Sequence, residues 1–433
     1  MAPNKKLALL VGGGPAPGIN AVIGAATIRA SLAGYEVIGI QDGFEWLMQG
    51  DVSHVSKLEI HDVSRIHFRG GSHIGTARAN PTKSEAAMEN VLLSLLRLDV
   101  GKLITIGGDD TSFSAYKLAE RSRGQIQVVH VPKTIDNDLD LPPEVYTFGF
   151  QTARHIGVEI VKNLMVDAKT THRWYFTIAM GRKFGHLALG IGKAAGATLT
   201  LIPEEFPPGK LSLSTIVDTL VGAIIKRISD GRPDGVAVLA EGLVERLDEV
   251  DLKELPTVER DAHGHIRIAE VNIGEILKAQ VQARLKQLKV KTTIVSKNIG
   301  YELRCADPIP FDMEYARDLG YCAAKCIIEG GTGVVVTIQE GHFKPMPMSE
   351  MMDPVSGRTR LRAVDVQSDR YKIAAQYMIR LNQKDFEDAH VLARHAATAN
   401  MSLEEFRNAF GYLVQGVSKQ PLPQASPHTG GGG

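Results

Sequence analysis

Residues 7–20 read LALLVGGGPAPGIN, and this stretch decides the fold class. Its five consecutive apolar residues, Leu7–Val11, predict a strand buried on both faces, as is typical of a parallel sheet. Three glycines end the strand, and Ile19–Leu32 then predicts a helix. A strand, a glycine-rich turn and a helix in this order indicate an α/β fold whose backbone N–H groups can bind a phosphate. Taken alone, a tight turn without a ligand explains the glycines equally well.

The same alternation continues outward from this stretch. The predicted strands are Tyr35–Gln41, Lys102–Ile106, Gln127–Val131, Arg173–Ala179, Thr198–Ile202, Gly235–Ala240 and Thr292–Ser296. Further helices are predicted over Glu85–Leu98 and Ser112–Arg121, and the charged stretch Asp248–Val290 predicts a helix-rich, solvent-facing segment. Apolar strands separated by helices predict parallel sheets covered on both faces.

Composition limits the class of protein. The chain has 433 residues, about three times the roughly 150 expected for one domain, which predicts two domains. Lys+Arg and Asp+Glu both number 49, so no whole-chain attraction to nucleic acid or an anionic membrane is expected. Three cysteines exclude a disulfide scaffold. The apolar runs are too short for a signal peptide or a membrane span, so a cytoplasmic protein is expected.

A second motif, GGDDT at residues 107–111, directly follows a predicted strand. The two glycines allow a phosphate to approach the backbone closely. Mg²⁺ prefers one or two carboxylates together with phosphate oxygens, so the adjacent Asp109 and Asp110 suggest a magnesium ligand. The alternative is a turn in which Asp110 or Thr111 caps the following helix.

A third motif, PKTIDNDL at residues 132–139, follows another predicted strand. A lysine, a threonine and two aspartates within six residues exceed what a connecting turn requires. An aspartate here can act as a general base toward a hydroxyl, while Lys133 stabilises charge on a transferring phosphoryl group.

The three motifs, in this order and at this spacing, resemble the phosphofructokinase family. Shorter matches extend the resemblance over roughly residues 7–340: GTAR at 75–78, GFQTA at 149–153, MGR at 180–182, IPEE at 202–205, EG at 241–242 and GYELR at 300–304. The resemblance implies two Rossmann-like three-layer α/β/α domains with the active site in the cleft between them. The expected phosphoryl-donor domain comprises residues 1–149 plus about 302–370, and the sugar-phosphate domain 150–301 plus about 371–420, before a disordered tail at 421–433.

Two residues indicate the branch of the family. The ATP-using bacterial branch usually has glycine at the positions of Asp110 and Lys133, and the pair found here resembles the pyrophosphate-dependent branch. A carboxylate at position 110 would repel the α-phosphate of a nucleotide. Lys133 would add positive charge beside the bridging and transferred phosphates.

The resemblance also implies roles for individual residues. Asp136 is expected to take the proton of the sugar hydroxyl, and the catalytic set is Asp136, Lys133, Asp110 and Arg182. Pyrophosphate is expected to contact Gly14, Arg78, Gly108 and Asp109, of which Asp109 also binds Mg²⁺. The expected substrate contacts are Thr134, Ile135, Asp136, Asp138, Arg173, Met180, Gly181, Arg182, Glu241, Tyr301, Glu302, Leu303 and Arg304. Arg173 matches an arginine that the family donates across a subunit interface, whereas Pro15 replaces an acidic residue found in many members.

The activity implied is reversible phosphoryl transfer from pyrophosphate to the 1-hydroxyl of fructose 6-phosphate, in glycolysis and gluconeogenesis. A homodimer or homotetramer with shared sites, and no nucleic-acid or membrane partner, is expected. Two alternatives stay open at this point. One is an ATP-dependent 6-phosphofructokinase, and the other is a non-catalytic sugar-phosphate-binding subunit, which the two aspartates of TIDND argue against.

Overall fold

The described residues form two large β-sheets, each with helices packed on both faces, and one small two-stranded sheet. The computed structural model describes residues 6–248, 251 and 271–415. The strands within these residues are β1 (Lys6–Val11), β2 (Glu36–Ile40), β3 (Val55–Lys57), β4 (Val100–Gly107), β5 (Gln127–Pro132), β6 (Trp174–Ala179), β7 (Leu199–Leu201), β8 (Gly235–Ala240), β9 (Ile294–Ile299), β10 (Val334–Val335), β11 (Ile338–Gln339), β12 (His342–Phe343) and β13 (Met346–Pro347). The larger sheet has the order β13-β10-β5-β4-β1-β2-β3 and the smaller one β7-β8-β6-β9, while β11 and β12 form a hairpin.

Both sheets are built around parallel pairs. In the larger sheet only the outer strands β3 and β13 run antiparallel to their neighbours. In the smaller sheet every described pair is parallel. The α/β prediction with parallel sheets is therefore confirmed.

The helices connect the strands and cover the sheets. They are α1 (Ile19–Leu32), α2 (Ile60–Val63), α3 (Glu85–Arg97), α4 (Asp109–Arg121), α5 (Phe150–Thr171), α6 (His186–Ala195), α7 (Leu213–Ser229), α8 (Leu243–Arg246), α9 (Ile273–Gln287), α10 (Tyr301–Arg304), α11 (Pro310–Ile328), α12 (Asp369–Tyr377), α13 (Gln383–Glu387), α14 (Ala389–Thr398), α15 (Leu403–Phe410) and α16 (Tyr412–Gln415). Among the described residues, no helix is both long and apolar enough to cross a membrane.

Strand periodicity explains how the larger sheet is buried. Side chains alternate between the two faces of a strand. Leu7 and Leu9 of β1 accordingly pack into one apolar cluster with α1 and α11, whereas Ala8 and Leu10 pack into another with α3 and α4. Because both faces are covered, β1 consists almost entirely of apolar residues.

The smaller sheet is buried in the same way. Trp174 and Phe176 of β6 lie in a cluster with α7 and α9, while Tyr175 faces α5 and α6 on the other side. The first of these clusters also receives Phe406 and Phe410 from α15. The C-terminal helices therefore pack against the smaller sheet through α7.

Most predicted elements are confirmed within one or two residues at each end. The largest differences are three residues: α4 begins at Asp109 and not at Ser112, and β9 ends at Ile299 and not at Ser296. Gly108 is the N-cap of α4 and no side chain caps the helix, so the alternative in which Asp110 or Thr111 caps it is wrong. In the charged stretch 248–290, α9 confirms the predicted helix, but residues 249–250 and 252–270, like the tail at 421–433, lie outside the described residues. The division into two discontinuous domains stays a prediction.

Candidate active site

The motifs lie at the carboxyl ends of adjacent strands in each sheet. In the larger sheet, β1, β4 and β5 are neighbours and lead into the three motifs identified from the sequence. In the smaller sheet, β8, β6 and β9 are neighbours and lead into Glu241, Met180 and Gly300. Parallel α/β sheets bind ligands at this edge, so both edges together form the candidate site.

Close packing against Thr111 joins the first two motifs. A Cβ atom at Gly12 would lie 2.4 Å from the Thr111 hydroxyl oxygen, and one at Gly107 would lie 2.3 Å from the Thr111 Cβ. Neither position has room for a side chain. The backbone of the glycine loop after β1 therefore packs directly against the Thr111 side chain at the start of α4.

Lys133 is a buried cation beside the glycine loop. Its ammonium group donates a hydrogen bond to the carbonyl oxygen of Gly14, and a Cβ atom at Gly13 would lie 3.3 Å from its Nζ. Burial lowers the pKa of Lys133 to about 8. The Arg304 guanidinium packs against the same glycine loop, since a Cβ atom at Gly14 would be 3.1 Å from its Nη1. Two cations thus face the loop predicted to bind the donor.

Arg182 and Asp109 link the two sheet edges. Arg182 Nη1 donates to Asp109 Oδ1 over 2.9 Å, although the residues are 73 positions apart in sequence. Arg182 has a positive φ of 50°, which is unusual for a residue with a side chain. This backbone conformation directs the arginine from the smaller sheet toward the carboxylate of the larger one.

The loop after β5 presents two buried carboxylates. Burial and the neighbouring Asp138 raise the pKa of Asp136, and burial and Asp109 raise the pKa of Asp138. Among the described residues, Asp136 Oδ1 has no hydrogen-bond partner. Thr134 Oγ1 accepts a hydrogen bond from the Asp136 N–H (3.0 Å), which tightens the turn. Asp136 is therefore a buried carboxylate with a free acceptor atom.

The predicted sugar-phosphate residues gather at the edge of the smaller sheet. Gly181 N donates to Glu241 Oε2 over 3.3 Å, and a Cβ atom at Gly300 would lie 2.8 Å from the methyl carbon of Met180. The Tyr301 ring is exposed, and the Arg304 guanidinium lies 4.6 Å from its centroid. Arg304 therefore contacts both the donor loop and the predicted sugar pocket.

Several predicted contact residues do not present their side chains to the cleft. Ile135 and Leu303 are buried in one apolar cluster with Phe150, so only their backbone atoms can face a substrate. Glu302 accepts a hydrogen bond from the Gly300 N–H, 3.1 Å away, and so holds its own turn. Arg173 lies before the first residue of β6, about 23 Å from Met180 at roughly 3.3 Å per residue. Within one chain, the structure does not bring Arg173 to the site.

The remaining predicted residues lie on the donor side. Arg78 is exposed, and its charge helps to lower the pKa of Lys133. Asp110 is exposed in the first turn of α4 and accepts a hydrogen bond from the Asn80 side-chain amide over 3.2 Å. Sequence analysis missed Asn80. Its only local signal is the Asn-Pro pair at residues 80–81, which indicates a turn and carries no information about Asp110.

Comparison with known proteins supports the family resemblance found in the sequence motifs. A family model described as phosphofructokinase matches residues 6–327. The pyrophosphate–fructose 6-phosphate 1-phosphotransferase of Thermotoga maritima is 51% identical over 416 residues, covering 95% of this chain and 99% of that protein. The protein of the same name from Naegleria fowleri is 48% identical, covering 94% and 96%.

A solved structure agrees at the level of fold. The pyrophosphate-dependent phosphofructokinase from Nitrosospira multiformis matches with a TM-score of 0.67 at 16% identity, over 98% of this chain and 95% of that one. At this identity the match concerns the fold alone. Three findings agree with the motif resemblance: the family model, the similarity to two relatives over nearly their full length, and the shared fold. The chain therefore belongs to the phosphofructokinase family.

Proposed function

We propose that this chain is a pyrophosphate-dependent phosphofructokinase that acts on fructose 6-phosphate. The observation that carries the proposal is the buried Lys133, whose ammonium group lies against Gly13 and Gly14. Pyrophosphate has no nucleoside for remote binding, so its site has to be small and strongly cationic. Lys133 and Arg304 supply such charge directly at the glycine loop. The two relatives cited above carry the name of this activity.

Asp136 is the proposed general base. The sugar 1-hydroxyl gives its proton to Asp136 while its oxygen attacks the nearer phosphorus of pyrophosphate. The bond from that phosphorus to the bridging oxygen breaks, so the products are fructose 1,6-bisphosphate and phosphate. Lys133 and Arg182 stabilise the charge on the transferred group and on the leaving phosphate. Catalysis is then mainly positioning and electrostatic stabilisation, and the reverse reaction uses the same groups.

A divalent cation fits the donor side of the cleft. Asp109 lies close enough to raise the pKa values of both Asp136 and Asp138, and the positive charge of Arg182 lowers both. In the described ranges, no group of three or more His, Cys, Asp or Glu residues could hold a metal unaided. Mg²⁺ needs no such group, since one or two carboxylates and substrate phosphates suffice. Asp109 would hold the ion, which supplies positive charge to the phosphate oxygens.

Asp110 is proposed to select against nucleotides. It lies in the first turn of α4, where the helix dipole attracts anions. Its carboxylate neutralises that attraction and repels the α-phosphate of a nucleotide. Asn80 donates to one carboxylate oxygen of Asp110 and keeps the group at this place.

A donor-swap assay tests the proposed function. The wild-type protein is assayed with pyrophosphate and with ATP at one fixed fructose 6-phosphate concentration in the presence of Mg²⁺. We expect turnover with pyrophosphate and a much lower kcat/KM with ATP. A preference for ATP would support the ATP-dependent alternative. Binding of fructose 6-phosphate without turnover of either donor would support the non-catalytic subunit.

We also propose that Arg173 completes the site of a second copy of the chain. Its side chain is half-buried, 3.9 Å from Asp167, and lies at the end of β6 that is remote from Met180. This placement leaves Arg173 without a role in its own cleft. A homo-oligomer in which one subunit's Arg173 contacts the sugar phosphate of another explains its match to the family. Homo-oligomerisation and a cytoplasmic location both stay predictions.

Mixing inactive variants tests the shared site. Arg173→Ala and Asp136→Asn are each expected to be nearly inactive alone. Hybrid oligomers contain some sites with both native residues, so activity is expected to return after subunits exchange. The Asp136→Asn variant, treated in the same way without the second variant, serves as the control. A lack of recovery, in a mixture shown by mass spectrometry to have exchanged subunits, would mean that Arg173 does not act across an interface.

A further inference from the structure

A segment that follows the last sequence motif crosses the candidate site. Residues 359–364, the strap, lie beyond the stretch matched by the family model and contain no motif. Thr359 Oγ1 donates to the backbone oxygen of Asp109 over 3.0 Å. Leu361 forms an antiparallel bridge with Leu139. At its far end, Val364 N donates to Glu204 Oε1 over 3.0 Å. The strap therefore contacts α4, the loop after β5 and the segment after β7.

Arg362 is the residue of the strap with the most hydrogen bonds to the catalytic loop. Its backbone N–H donates to the Asp138 carbonyl over 2.8 Å. Its guanidinium donates from Nε to the Asn137 carbonyl (3.0 Å), and from Nη2 to Asn137 Oδ1 (2.5 Å) and the Val145 carbonyl (2.9 Å). Its own carbonyl lies 3.0 Å from Nε2 of His186, on α6. One side chain thus binds both the backbone and the side chain of the residue between the two carboxylates.

Asn137 is held in an unusual conformation. Its φ of 55° lies in the left-handed region, which is unfavourable for residues other than glycine, although asparagine tolerates it better than most. The Thr147 N–H, 3.2 Å from Asn137 Oδ1, is a second donor to the same side chain. If Asn137 returned to a negative φ, the flanking peptides would rotate and redirect the carboxylates of Asp136 and Asp138. The Arg362 guanidinium therefore holds Asn137 in this left-handed conformation.

We propose that Arg362 is a positioning residue for phosphoryl transfer, and that the strap keeps the catalytic loop in its productive shape. The guanidinium suits this task because its planar fork can reach two carbonyls and an amide oxygen at once, which a lysine ammonium cannot do from one point. The Arg362 side chain donates its hydrogen bonds to Asn137, Leu141 and Val145, none of which is a predicted substrate contact. Its effect on catalysis passes through Asn137, and this inference depends on the proposed function only for its kinetic measurement.

Arg362→Met tests the inference. A catalytic group displaced by about 1 Å can cost about 10²-fold in rate, so we expect kcat to fall by about that factor. The KM values for both substrates are expected to change only a few-fold, because a small displacement of the loop disturbs the geometry of the reacting atoms more than it weakens binding. Arg362→Lys keeps the charge but not the fork, and is expected to lose most of the same activity. Arg358→Met removes an exposed arginine four residues earlier and is the matched control, with wild-type activity expected.

A double-mutant cycle separates positioning from general loss of structure. Asn137→Ala removes the acceptor oxygen that Arg362 contacts. If both residues maintain one conformation, the kcat loss of the double variant is clearly smaller than the product of the two single losses. Independent, multiplicative losses would overturn the inference. Should Arg362→Met fail to fold, the cycle is run with Arg362→Lys in its place.

Hydrogen exchange gives a measurement that needs no activity. Peptides covering residues 134–148 are expected to exchange faster in Arg362→Met than in wild type or Arg358→Met, while the rest of the chain stays unchanged. Acceleration throughout the chain, unchanged exchange, full activity of Arg362→Lys, or a kcat within a few-fold of wild type in Arg362→Met would each overturn the inference. If wild type itself does not use pyrophosphate, the proposed function fails, and exchange still decides whether the strap holds the loop.

Discussion

Asp136→Asn is expected to lower kcat by about 10²- to 10⁴-fold, the range typical of a general base. Asparagine keeps the shape of the side chain but accepts no proton at the reacting hydroxyl. The burial of Asp136 and the free acceptor atom Oδ1 make it the carboxylate best placed for this step. The KM for fructose 6-phosphate should change little, since binding does not require the transferred proton. Steady-state kinetics with pyrophosphate measures both values.

The pH dependence gives this prediction a second measurement. Burial and the charge of Asp138 raise the pKa of Asp136 above its ordinary value. The base is active when deprotonated, so kcat should fall as the pH drops through this raised pKa, nearer to neutrality than an ordinary aspartate would give. Asp136→Asn should remove that acid limb from the residual activity.

Asp318→Asn is the matched control for Asp136→Asn. It makes the same chemical change at an exposed residue in the middle of α11, outside the predicted site and the strap. Activity close to wild type is expected. If Asp136→Asn also stays within a few-fold of wild type, then another residue accepts the proton.

Local sequence pattern was sufficient for the elements that carry the first motif. Helix α1 begins and ends where the residues predict, because a glycine-rich turn precedes a predominantly apolar stretch. The same reasoning misplaced the start of α4 by three residues, since it treated the aspartates of GGDDT as part of the turn. Acidic residues in the first turn of a helix are favourable through the helix dipole, so Asp109 and Asp110 belong to α4.

Long-range contacts could not be predicted from pattern. Arg182 and Asp109 are 73 positions apart, and Arg362 and Asn137 are 225 apart. Nothing near either residue in sequence indicates its partner. Motif matching also gives no side-chain direction, which is why Leu303 matched a substrate motif and yet lies in the apolar core. The sequence thus predicts which strand ends carry the chemistry, while the contacts across the cleft depend on how the two sheets face each other.

Asp110 and Lys133, the pair proposed to select the donor, give the second large expected effect. Asp110→Gly removes the carboxylate from the start of α4 and should raise kcat/KM with ATP without improving the use of pyrophosphate. Lys133→Gly removes the buried ammonium group beside Gly14. Loss of one group that stabilises transition-state charge typically costs about 10²–10³-fold in kcat, and a loss of that size with pyrophosphate is expected. Pyrophosphate binding should suffer less, because the charge is needed most in the transition state.

The double variant should shift donor preference furthest. With glycine at both positions, as in the ATP-using branch, the ratio of kcat/KM for ATP to that for pyrophosphate should exceed the ratio in either single variant. Both residues are proposed to act on the same donor, so their effects need not multiply. Asp110→Asn is the matched control, since it keeps the bulk of the side chain and removes only its charge. If the carboxylate acts by repulsion, Asp110→Asn should admit ATP almost as well as Asp110→Gly; if it acts by bulk, only the glycine variant should. A donor ratio that neither variant changes would mean that Asp110 does not select the donor.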